Sequence, residues 1–178
     1  RQRATQGNGA TLPPLDLRGV DLRGADLTGA NLSGADLTDA NLSGAKFEEA
    51  NLERATLVRA RLMRTNLNRA KLEAANFNNA MMHHVSAQAA NLTGANFRCA
   101  SLIYANFMGA NLNDVNFMRA FCRDAVFTDA DLRCASLTGA ELDGANLRRA
   151  DLTGANLGAA DLRRADFMGA NLKDVNFM

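Results

Sequence analysis

The chain has 178 residues, a formal net charge of +1, 47% hydrophobic residues, few aromatics and no Trp. This near-neutral balance does not indicate nucleic-acid binding, which usually needs a basic patch, so no nucleic-acid partner is expected. No apolar run reaches the length of a membrane-spanning helix, so no membrane partner is expected either.

Residues 1–14, "RQRATQGNGATLPP", carry no repeat and no amphipathic period, and read as a flexible lead-in stopped by Pro13 and Pro14. From residue 15 to 178 one five-residue phrase recurs without a break in register. Its large residue falls at every position ending in 2 or 7 from Leu17 to Phe177, which makes 33 centres; 30 are Leu or Phe, and the exceptions are Met82, Ala87 and Cys122. Two residues before each centre, 27 of 33 positions are Ala.

A period of five fits no standard element. On a helix five residues advance by about 500°, so the Leu column would wander around the axis. On a straight strand an odd period sends successive Leu side chains to opposite faces. The chain must turn within each repeat: Ala and Leu point inward, the Asp or Asn between them points outward, and the last two residues bend. Of 14 Gly, 11 stand last in a pentad, where a type II turn takes positive φ. Four sides close one coil of 20 residues.

The tandem A(D/N)LXX pattern, clearest from Gly24 to Ala45, resembles the pentapeptide-repeat proteins. The resemblance implies an all-β fold, a right-handed quadrilateral β-helix of about eight coils, roughly 40 Å long at roughly 4.8 Å per coil. It places Leu22, Leu42, Leu62 and Leu102, and Phe77, Phe97, Phe117, Phe107 and Phe127, in stacked core columns. The best-known activity in that family is protection of DNA gyrase by mimicking duplex DNA. A DNA mimic needs a strongly negative surface, and a net charge of +1 argues against one.

In chain order, the opening coils from Leu15 to Ala45 set Asp16, Asp21, Asp26 and Asp36 outward as a solvated, non-sticky wall. Arg54, Arg59, Arg61, Arg64, Arg69 and Lys71 then girdle one coil, with Glu48, Glu49, Glu53 and Glu73 near enough to predict a ring of surface ion pairs. Residues 81–89, "MMHHVSAQA", are the weakest repeats and predict a locally irregular coil. His83 and His84, the only histidines, supply half a tetrahedral shell at most, so no metal is expected. Ser33, Ser43, Ser101 and Ser136 have no His on neighbouring repeats, so no nucleophile–base pair and no catalytic residue is expected, and no cofactor motif is present. Cys99, Cys122 and Cys134 form neither a disulfide framework nor a paired zinc motif, and a reducing compartment, the cytoplasm, is the expectation.

Outward positions stacked at a spacing of 20 are more informative. Eleven carry Val, Met, Ile, Tyr or Phe, and five of these share one side in four successive coils: Met63, Met81, Ile103, Tyr104 and Phe121. Contiguous exposed apolar residues mark contact surfaces, so these five are the candidate contact patch for a protein partner. Residues 107–118 recur at 167–178 with 11 of 12 identical, an offset of three coils, and the second copy stops in mid-pentad. The solenoid, or another domain, is therefore expected to continue past Met178. Bare end coils offer a second route, end-to-end self-association. The expected function is a non-enzymatic interaction scaffold; the alternatives are a DNA mimic directed at gyrase or topoisomerase, and a spacer within a larger protein.

Overall fold

The computed structural model describes residues 14–178, so of the expected lead-in all but Pro14 lies outside the described residues. Within them, 29 parallel bridges pair each outward residue with its counterpart 20 positions later, from Asp16 with Asp36 to Asn156 with Asn176. Each contact is an isolated bridge and not part of a long strand, because a corner follows every three residues. The four faces of this right-handed, all-β solenoid repeat in chain order. Face 1 holds the centres Leu17 to Phe177, face 2 Leu22 to Leu162, face 3 Leu27 to Phe167 and face 4 Leu32 to Leu172, each at a spacing of 20.

The pentad's backbone donors account for this geometry. In the repeat at Leu102, the Leu102 and Tyr104 N–H groups donate to Phe121 and Arg123 carbonyls of the next coil, at 2.8 and 3.0 Å. Asn106 donates back to Val85 at 2.9 Å, and Ala105 closes the corner on the Leu102 carbonyl at 2.9 Å. One N–H per pentad remains, that of the residue after the centre. Where the outward residue is Asp or Asn, its side chain accepts from this N–H two residues downstream, as in Met118 N–H to Asn116 Oδ1 at 2.9 Å. All 22 Asp and Asn residues at this place cap in that way. The outward column is thus more than the solvated wall expected from sequence.

The corners also correct an expectation. All 32 residues in last place have positive φ, but only 11 are Gly; the other 21, among them Arg59, Ala74, His84 and Tyr104, sit at φ between 53° and 60°. A left-handed conformation costs an L residue roughly 1–2 kcal/mol. The ladder bonds on both sides of each corner over-determine it and hold the residue there.

The coil at 81–90 is regular as well, against the expected irregularity. Met81 bridges Arg61 and Ser101, Ser86 bridges Asn66 and Asn106, and His84 and Ala89 keep corner φ values of 55° and 53°. Here Val85 and Ala87 stand where Ala and Leu usually do, so volume moves between two adjacent inward positions, and both stay buried.

The core is one continuous apolar column. Phe77, Phe97 and Phe117 stack on face 1 at 4.7 and 5.0 Å, and Phe107 and Phe127 stack on face 3 at 5.4 Å. Across the axis Phe97 meets Phe107 edge-on at 5.8 Å, and Phe117 meets Phe127 edge-on at 5.7 Å. Leu42, Leu62 and Leu102 are fully buried, while Leu22, in the first described coil, is half-buried. Thr65 replaces an inward Ala, and its buried hydroxyl donates to the Leu42 carbonyl at 2.9 Å, a second bond on an oxygen that already closes a corner.

Candidate protein-contact face

Face 2 brings the five predicted contact residues onto one wall. Met81 and Phe121 flank Ser101 in the column before the centres; Met63 and Ile103 flank His83 in the column after them; Tyr104 holds the adjoining corner. Met63, Met81, Tyr104 and Phe121 are exposed at 37–52%, and Ile103 is half-buried. Tyr104 is ordered by its neighbour one coil up, the His84 ring stacking on it at 5.0 Å. A shallow open groove along the corner of faces 1 and 2, lined by Asp39, Asn41, Arg59, Arg61, Asn79 and Met81, runs into the patch. At the other end Arg164 covers the Asp143 carboxylate with two bonds of 2.8 and 2.6 Å and holds its pKa below the usual carboxylate range.

The same wall breaks the capping ladder. On face 2 the outward column reads Arg61, Met81, Ser101, Phe121 and Glu141 through five successive coils, with no Asp or Asn. Among the described residues, nothing accepts from the N–H groups of Met63, His83, Ile103 and Arg123, which lie on exposed or half-exposed residues. No other face has such a run. The signal was in the sequence, as a gap in the Asp/Asn column at a spacing of 20, but it carries meaning only once the cap is known.

The arginine girdle resolves differently from the ring of ion pairs expected. Arg59 pairs with Asp39 at 2.6 Å, and Arg69 with Glu48 and Glu49 at 2.7 and 3.0 Å. Arg54, Arg61, Arg64 and Lys71 make no ion pair among the described residues. Glu53 and Glu73 lie on face 4, a rod's width from Arg61 and Arg64, while Arg54 and Lys71 share that face with them without pairing, and Glu73 is engaged by Asn91. For Arg61 and Arg64, proximity in sequence did not become proximity in space.

A second correction concerns Ser101. His83 Nε2 lies 2.6 Å from Ser101 Oγ, a nucleophile–base contact that the sequence seemed to exclude, because the partner is 18 residues away and one coil up. Among the described residues no carboxylate bonds the His83 ring, and the pair lies on an open wall. A triad's orienting acid and enclosed site are both missing there, so the contact reads as a hydrogen bond across coils. Beneath the patch, burial pushes the pKa of the Cys122 thiol far above its ordinary value, which makes it inert. Cys99 and Cys134 are free thiols at corners.

A family model for pentapeptide repeats matches the chain in eight copies, over residues 16–54, 45–83, 75–114, 110–149 and 145–178. The chain belongs to the pentapeptide-repeat family. Among solved structures, the repeat rod resembles full-length QnrB1, a plasmid-mediated fluoroquinolone resistance protein, at 22% identity over 88% of this chain and 90% of that one, with a TM-score of 0.64. A trypsin-treated form of QnrB1 gives 23% identity, 94% and 88% coverage and a TM-score of 0.63. HetL, a pentapeptide-repeat protein involved in heterocyst differentiation regulation in the cyanobacterium Nostoc, is 31% identical over 90% of this chain and 78% of that one, with a TM-score of 0.32. At these identities the QnrB1 likeness shows the fold. No curated protein sequence matches the chain. Repeat proteins of this family are generally structural and interaction modules, and no enzyme family is indicated. No helix among the described residues is long and apolar enough to cross a membrane.

Proposed function

We propose that this repeat rod is a non-enzymatic interaction scaffold whose face 2 meets a protein partner through Met63, Met81, Ile103, Tyr104 and Phe121. One observation carries the reading: large apolar side chains stand exposed on one wall through four successive coils, whereas the outward positions of face 4 carry none. Apolar area of that kind is costly to leave in water, and Met and Tyr adapt to a partner's contours. The stacked core beneath makes the wall rigid, so binding orders little backbone. Capture from lysate by the wild-type rod, compared with a Tyr104→Glu, Phe121→Arg variant of unchanged circular dichroism, tests the assignment. Loss of the captured protein supports it, and unchanged capture removes face 2 as the contact.

A second reading, protection of a type II topoisomerase, is favoured by the fold likeness to QnrB1. Charge opposes it. Face 2 mixes Asp21, Asp124, Glu141 and Asp161 with Arg23, Arg61, Arg64, Arg123, Arg163 and Arg164, so no long acidic stripe imitates a phosphate backbone. Titration of the rod into a gyrase supercoiling assay, with and without a quinolone, decides between the two; inhibition or drug protection at low micromolar protein would favour the second.

A further inference from the structure

We infer that the occupant of face 2 is an extended, acid-bearing segment of a protein partner, with its carboxylates over Arg61 and Arg64 and its apolar side chains over Met81, Ile103, Tyr104 and Phe121. The inference rests on face 2 being the contact face, and adds the chemistry of what lies on it. What the wall lacks is acceptors. Elsewhere on the rod an N–H after the centre without an acceptor stands alone in its column, as at Glu48, Val58, Glu73, Thr128 and Thr138, but on face 2 those of Met63, His83, Ile103 and Arg123 follow one another through four successive coils without an acceptor among the described residues. Arg61 and Arg64, at the same end of the patch, are exposed and make no ion pair among those residues.

A surface of donors and cations selects a partner rich in acceptors. Geometry narrows the choice. The free N–H groups recur once per coil, about 4.8 Å apart, whereas the carbonyls along one edge of a strand recur about every 6.8 Å. Backbone acceptors alone cannot follow the row, and side-chain carboxylates must supply part of it. From Arg61 to Phe121 the wall spans three coil spacings, roughly 14 Å, the reach of four to five extended residues. At the far end the cations are already engaged, Arg123 by Glu141 at 3.9 Å, Arg163 by Asp161 at 2.6 Å and Arg164 by Asp143 at 2.6 Å, which fixes the polarity of the segment: its carboxylates belong at the Arg61 end.

The full chain, panned against a phage-displayed random heptapeptide library, gives fluorescein-labelled peptides for anisotropy titration. The expected peptides carry two or more carboxylates beside large apolar residues. Their affinity should fall at least about tenfold in Arg61→Glu, Arg64→Glu and in Phe121→Ser, and change less than about twofold in Lys71→Glu on face 4. It should also weaken as NaCl rises from about 50 to about 300 mM. Circular dichroism confirms the fold of each variant. Peptides that lose affinity in Phe121→Ser but not on charge reversal would overturn the inference while keeping face 2 as the contact. Peptides indifferent to both would overturn both readings. An unenriched library overturns the inference, and lysate capture then judges the face alone. Self-association abolished by Phe121→Ser would give the face to a second copy and end this proposal.

Discussion

At the scale of single residues, the rod depends on a few side chains with no slack around them. Phe97 touches Phe77 and Phe117 above and below and Phe107 across the axis. Replacing it with Ala empties the middle of the stack, and a cost of about 3–5 kcal/mol is expected from chemical denaturation. Leu102→Asp should fail outright, because a carboxylate there would be buried with no partner; soluble, folded protein would contradict that account. Cys122 gives a reporter that leaves the fold untouched. A thiol reagent should label exposed Cys134 quickly in the native state and reach Cys122 only in denaturant, since that thiol is fully buried with a raised pKa.

At the scale of the pentad, the corner and the cap make separate, measurable contributions. Ala74 and Ala89 hold φ of 53° with no side-chain bond in return, so Ala74→Gly and Ala89→Gly should raise thermal stability, each relieving up to about 1 kcal/mol of backbone strain. Asn116→Ala removes the acceptor from Met118 N–H and should cost about 0.5–1.5 kcal/mol. Neither effect could be read directly from the sequence. The inward residues could, because Leu and Ala at fixed spacing leave only one way to bury them. Glycine appeared to mark the corners, yet two-thirds of them proceed without it, since the ladder imposes the conformation. The Asp/Asn column looked like solvation, because a cap to one's own backbone has the same polarity as a residue facing water. Of the candidate face, the apolar residues emerged by stacking the sequence at 20. The unpaired Arg61 and Arg64 and the His83–Ser101 contact did not, because charge and hydrogen-bond partners depend on which face a neighbour occupies.

At the scale of the whole rod, the caps and surface pairs tie stability to pH. Bonds from the Arg18 side chain and N–H hold Asp16 at about 2, and bonds from Arg163 do the same for Asp161. Arg partners also lower Asp21, Asp39, Asp129 and Asp131, while bonds from Thr28 and Thr38 lower Asp26 and Asp36. Their folded pKa values lie below the unfolded one of about 3.9, so the contribution is complete above about pH 4 and disappears as pH falls from there toward about 2. The melting temperature should therefore be level from about pH 7 to about pH 5 and decline below about pH 4; a level profile down to about pH 2 would show that these bonds add nothing. The cap has one more consequence. Its acceptor is a single side-chain oxygen, Oδ1, which aspartate and asparagine both present, so the two are interchangeable as far as the coil is concerned. Fourteen of the 22 caps are Asn, and exchanging them all for Asp would carry the formal charge from +1 to −13 with every backbone bond in place. The ionic character of such a rod is thereby detached from its architecture: one solenoid can be neutral or densely anionic, and selection can move between the two one amide at a time.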